Sequence, residues 1–96
     1  DGTLTRKEIR KKLQPCDIII TGRRDLSLIK AYTKIWALIH KVDNKIIFKD
    51  KEDTIAKHKI KHILNNNIQI YYENDERIFK EIKREISEDK CKIRLV

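Results

Sequence analysis

Glycine occurs twice, proline once and methionine not at all in these 96 residues. So few turn-formers leave no material for a linker, and residues 1–96 read as a single domain. Cys16 and Cys91 stand far apart, without another Cys or a His at ligand spacing. That excludes a disulfide framework and a zinc finger. Both flank apolar runs, and free thiols in such places are expected inside. No apolar stretch approaches the length of a membrane span and no secretory h-region is present, so a cytoplasmic protein without a membrane partner is expected. His58 and His62 share one helix face, but no third ligand follows nearby, and with His40 they form no metal set.

What the chain has in abundance is charge. Lys and Arg number 23 against 15 Asp and Glu, a formal +8. A balance of this sign favours anionic partners: nucleotides, nucleic acid or phosphorylated small molecules. The basic residues are spread along helix faces rather than gathered in one block, so a solvated surface explains them equally well.

The hydrophobic pattern alternates between two periods. Short β-branched or aromatic runs at Asp17–Thr21, Lys45–Lys49, Ile68–Glu73 and Lys92–Val96 read as strands, the first three nearly continuous in apolar residues. Amphipathic stretches at about Arg6–Leu13, Leu26–His40, Thr54–Leu64 and Glu76–Ile86 read as helices. In the second of these Leu28, Ile29, Tyr32, Ile35, Trp36 and Ile39 form a broad apolar stripe expected to face the core. Trp36 and Phe79 are expected inside as well, and Asp25 or Ser27 is a candidate cap for the helix that follows. Strict alternation predicts right-handed βαβ crossovers and an α/β fold, a three-layer sandwich around a mostly parallel sheet. Such a sheet wants one more strand ahead of the first helix, and Asp1 stands where that strand's carboxyl end is expected.

Ligands of open parallel sheets bind beyond the carboxyl ends of the strands. Asp1-Gly2-Thr3, Thr21-Gly22-Arg23, the lysine-rich stretch from Lys51 to Lys59, and Glu73-Asn74-Asp75 all fall there. Carboxylates, a hydroxyl, a glycine turn and lysines at one edge are what a phosphate with Mg²⁺ would need.

These clusters resemble the four motifs of the haloacid dehalogenase-like (HAD) superfamily of phosphohydrolases, in order and across essentially the whole chain. Asp1-Gly2-Thr3-Leu4-Thr5 is similar to the end of its first motif, Asp-x-Asp-Gly-Thr-x-Thr. Ile18-Ile19-Ile20-Thr21-Gly22-Arg23 is similar to the second, Lys59 with the helix after it to the third, and Ile70-Tyr71-Tyr72-Glu73-Asn74-Asp75 to the fourth. The spacing leaves no room for a cap insertion. Thr33-Lys34-Ile35-Trp36 after Thr-Gly-Arg also resembles capless polynucleotide 3′-phosphatase domains.

The resemblance implies a Mg²⁺-dependent phosphomonoesterase that passes through an aspartyl-phosphate, with the nucleophilic Asp expected two residues before Asp1. Asp1 would be the general acid/base and a metal ligand. Thr21, Gly22 and Arg23 would bind the phosphoryl oxygens, Thr21 also serving catalysis. Lys59 would neutralise developing charge, with Lys57 a competitor for that role. Glu73, Asn74 and Asp75 would hold the metal, although Asn74 stands where the family commonly has Asp. The implied substrate is a nucleotide or nucleic-acid phosphate. The alternative is a non-catalytic HAD-like module that binds nucleic acid or a protein through its basic surface.

Overall fold

A computed structural model describes residues 2–96, so the expectations for Asp1 lie outside the described residues. The elements run α1 (Gly2–Thr5), α2 (Lys7–Arg10), β1 (Ile19–Arg24), α3 (Ser27–Ile39), β2 (Ile46–Lys49), α4 (Ile55–Asn65), β3 (Ile70–Glu73), α5 (Glu76–Glu85) and β4 (Lys92–Leu95). The alternation of helix and strand is as the periodicity predicts. The sheet is not continuous: β1 pairs in parallel with β2, β3 pairs in parallel with β4, and no ladder joins the two pairs among the described residues.

One core nevertheless serves both pairs. Ile20 of β1, Ile63 of α4, Ile82 and Ile86 at the end of α5, and Cys91 and Ile93 around β4 form a single buried cluster. Ile47, Ile60, Tyr71, Ile78 and Phe79 close around it. Full burial of an isoleucine is worth about 1.5–3 kcal/mol, so this cluster is the main adhesive between the halves. Along β3 and β4 the pleat sends Tyr71, Glu73 and Ile93 inward, while Ile70 and Tyr72 stay about half exposed.

The N-terminal segment departs from the single helix expected over Arg6–Leu13. Arg6 is the extended N-cap of α2, which already ends at Arg10, and a separate short helix, α1, precedes it. The Arg10 guanidinium donates to the carbonyls of both Leu4 and Thr5 at 2.9 Å, capping the end of α1, and lies 5.9 Å from the centre of the Trp36 ring. Trp36 is therefore half-buried beneath an arginine rather than central in the core.

Two helices end without the glycine that normally serves there. Lys41 (φ 58°) and Asn67 (φ 51°) take the left-handed conformation. The amide of Val42 then donates to the Ala37 carbonyl, and that of Ile68 to the Ile63 carbonyl. This is the Schellman arrangement, with its usual apolar contact across the turn. Asn tolerates this backbone better than most residues; at Lys41 the burial of Val42 and Ala37 offsets the strain.

Three further expectations are corrected. Helix α3 starts after Leu26 with no side-chain cap, so neither Asp25 nor Ser27 serves as one; Asp25 instead pairs with Lys30 at 3.2 Å. Cys16 is exposed, because it sits in the polar turn ahead of β1, whereas Cys91 is buried. Thr33 and Ala37 turn the other face of α3 inward, leaving Leu28, Tyr32, Ile35 and Ile39 exposed.

Candidate functional site

An enclosed polar cluster is assembled at the carboxyl end of β3. Thr54 caps α4 by accepting from the Lys57 amide at 3.2 Å, which sets the helix so that Ala56, His58, Lys59 and Ile63 face inward. Lys59 then reaches Glu73, the last residue of β3, with Nζ 2.7 Å from Oε1. Their side chains are only 3% and 1% exposed. The Tyr71 hydroxyl donates to the same oxygen at 2.9 Å. The amides of Asn74 and Asp75 donate to Oε2 at 3.1 and 3.0 Å. Desolvating two charges costs several kcal/mol per ion, and such a pair survives only when the remaining lone pairs are satisfied. Here four donors converge on one carboxylate. Burial, and then the neighbouring Glu73, push the Tyr71 hydroxyl well above the usual phenol range.

The chain beyond Glu73 continues the same edge. Asp75 caps α5, its Oδ1 accepting from the amides of Arg77 (2.9 Å) and Ile78 (3.2 Å). The Thr3 hydroxyl donates to Oδ1 of Asn74 at 3.1 Å across 71 positions of sequence. Thr3 and the Glu73-Asn74-Asp75 segment therefore meet. Of the two candidate lysines, Lys59 is inside and Lys57 is exposed on the outer side of α4.

Thr21, Gly22 and Arg23 form the second cluster. The β1–β2 register holds at Ile20↔Ile47 and resumes at Arg24↔Lys49, so three residues of β1 oppose one of β2. A bulge of this kind turns side chains out of the ladder's regular alternation. Within it the Arg23 amide donates to Oγ1 of Thr21 at 3.1 Å, and the Arg23 guanidinium donates to the Thr33 hydroxyl at 3.0 Å. Thr21 is buried at 3% exposure. Helix α4, which carries Lys59, packs against β1, which carries Thr21.

A third group gathers around Lys49, Asp53 and Lys61, which sequence reasoning did not single out, beside the His58–His62 pair that it did. The Lys49 ammonium is buried and donates to the carbonyls of Asp50 (2.6 Å) and Asp53 (2.8 Å), pinning the loop from β2 into α4. Lys61 bonds Asp53 at 3.1 Å and holds its carboxyl below the usual range. Beside them His58 is wholly buried, and neither ring nitrogen has a hydrogen-bond partner among the described residues. Its ring meets that of His62 edge-on at 4.7 Å. Burial, reinforced by His62, lowers the His58 pKa. The i, i+4 histidine spacing marked this pair in the sequence.

Magnesium prefers several oxygen donors, carboxylates and water above all. The donor set of the described residues does not complete a cage. Both Glu73 oxygens are taken by Lys59, Tyr71 and two amides, and one oxygen of Asp75 is spent on its cap. No group of three or more His, Cys, Asp or Glu converges as a metal cluster among the described residues. Asn74, whose Oδ1 accepts only from the Thr3 hydroxyl among the described residues, and the second oxygen of Asp75 are the less committed oxygens at this edge. No helix among the described residues is long and apolar enough to cross a membrane.

Comparison with family models, with curated proteins and with solved structures finds no match to this chain.

Proposed function

We propose that this chain is the core of a capless, HAD-like phosphomonoesterase acting on a nucleotide or nucleic-acid phosphate. The observation that carries the reading is the Thr3–Asn74 hydrogen bond, which brings the first and fourth motif segments to one edge beside Lys59 and Glu73. On this reading a further parallel strand lies between β1 and β3, completing the three-layer sandwich. Its tip carries the nucleophilic Asp two residues before Asp1.

The carboxylate oxygen of that Asp attacks phosphorus while the P–O ester bond breaks, and Asp1 gives its proton to the departing alkoxide oxygen. Asp1 then takes a proton from the water that hydrolyses the aspartyl-phosphate, releasing inorganic phosphate. The Thr21 hydroxyl, with the Gly22 and Arg23 backbone in the bulge, binds phosphoryl oxygens. Lys59 balances charge near them. Mg²⁺, held by Asp1, Asn74 and Asp75 rather than by Glu73, would offset repulsion between the carboxylates and the phosphate.

The test is phosphate release by protein expressed from the complete reading frame, with p-nitrophenyl phosphate, mononucleotides and a 3′-phosphorylated oligonucleotide as substrates. Loss of release with EDTA and in Asp1→Asn supports the reading.

One observation favours a second reading, a non-catalytic module binding nucleic acid through its basic surface: the saturated Glu73 removes a carboxylate from the metal set. Such a module loses affinity with salt at a log–log slope of about −0.7 to −0.9 per phosphate contact, and releases no phosphate.

A further inference from the structure

Helix α3 carries two apolar faces and the fold uses one. Ile29, Thr33, Trp36 and Ala37 turn towards the domain. Leu28, Tyr32, Ile35, Leu38 and Ile39 turn away from it and are between 58% and 86% exposed. Four of these, Leu28, Tyr32, Ile35 and Ile39, follow the alternating four- and three-residue spacing that keeps one seam along a helix facing a partner helix. The four seam residues alone offer a mostly apolar patch of roughly 500 Å², at the upper end of the ~300–600 Å² of the largest patch on an ordinary monomer, which is often functional.

We propose that this seam is the interface of a homodimer, in which α3 packs antiparallel against α3 of a second copy about a twofold axis. With the axis level with the Thr33–Lys34 peptide, Leu28 faces Ile39 of the second copy and Tyr32 faces Ile35, so the seam is complementary to itself. Charge supports the antiparallel sense. Lys30 and Lys34 lie off the seam, and Lys30 is held by Asp25. Asp25 at the start of the helix falls beside Lys41 at the end of the other copy, and the two helix dipoles oppose. A nucleic acid has no use for an apolar seam, so the +8 charge does not supply the occupant. The proposal does not depend on the phosphatase reading.

Sedimentation velocity over a concentration series tests it, with far-UV circular dichroism confirming the fold of each variant. The wild type should show a reversible monomer–dimer equilibrium. Ile35→Glu, at an exposed position, should weaken it by about tenfold or more, a loss of at least ~1.4 kcal/mol. At low salt Asp25→Lys and Lys41→Asp should each weaken the dimer, and the double variant should recover it. A monomer at every concentration would overturn the proposal, as would a dimer indifferent to Ile35→Glu. So would a monomer that instead cosediments with anionic vesicles through the same seam.

Discussion

Lys59 and Glu73, fourteen positions apart, form an ion pair sealed from water at 2.7 Å. The pair joins the inner face of α4 to the tip of β3, and Tyr71 and two backbone amides complete the carboxylate's hydrogen bonds. It is a fully enclosed polar contact, and it lies at the edge proposed as the site.

Removing one partner strands the other. Lys59→Met or Glu73→Leu should each cost about 3–5 kcal/mol, whereas the double variant should lose less than the sum, because no lone charge stays buried. Urea unfolding of the four proteins gives the coupling directly. Additive losses would show that the pair carries no cooperative energy.

His58 makes stability depend on pH. Its folded pKa lies below the ordinary 6.5, so the folded state prefers the neutral ring and the unfolded state binds protons first. The contribution is fully present above the unfolded value. It declines as pH falls below about 6.5 and levels off once the folded ring itself protonates. His58→Leu should flatten this part of the profile without a large loss at neutral pH, since an unpartnered buried polar group gives little in return for its desolvation. Thermal unfolding across this pH range, for wild type and variant, checks the sign.

The two cysteines should react on different timescales. Cys16 is exposed and should alkylate at once under native conditions, whereas Cys91 is shielded and burial pushes its thiol pKa up. Iodoacetamide labelling followed by mass spectrometry should show one fast site and one that appears only with unfolding.

Asp75 has two separable duties. Asp75→Ala should cost about 1 kcal/mol through loss of the α5 cap, while Asp75→Asn keeps most of the cap. If Asp75 also serves a metal, Asp75→Asn should raise the Mg²⁺ concentration needed for phosphate release while leaving the melting temperature nearly unchanged. Equal Mg²⁺ dependence in the two proteins would confine Asp75 to capping.

The order of helices and strands was readable because period-two and period-3.6 patterns alternate cleanly. The strand bounds were less so. The first strand reads as ending at Thr21, yet β1 runs to Arg24 because the bulge lets it rejoin β2 at Lys49, a consequence of pairing that no local pattern carries. A strand-ending acid such as Glu73 reads as a metal ligand. Its engagement by Lys59 depends on which face of β3 turns inward, and that is decided by the core around Tyr71 and Ile93. Helix α3 misled for a related reason: its apolar stripe is wide enough for two faces, and periodicity does not say which one the domain covers. The helical turn at Gly2–Thr5 was not legible either, since the Arg10 guanidinium that caps its end comes from the next helix.

On the proposed function, the edge formed by Thr3, Thr21-Gly22-Arg23, Lys59 and Glu73-Asn74-Asp75 hydrolyses a phosphate ester. The most direct measurement is inorganic phosphate release from a 3′-phosphorylated oligonucleotide by protein from the complete reading frame, with and without EDTA, for wild type, Asp1→Asn and Thr21→Val. The account predicts release that requires Mg²⁺, falls by about 10²-fold or more in Asp1→Asn, and drops in Thr21→Val. No release by folded protein from this or any other phosphate ester tried, or release that persists in EDTA and in Asp1→Asn, would contradict it.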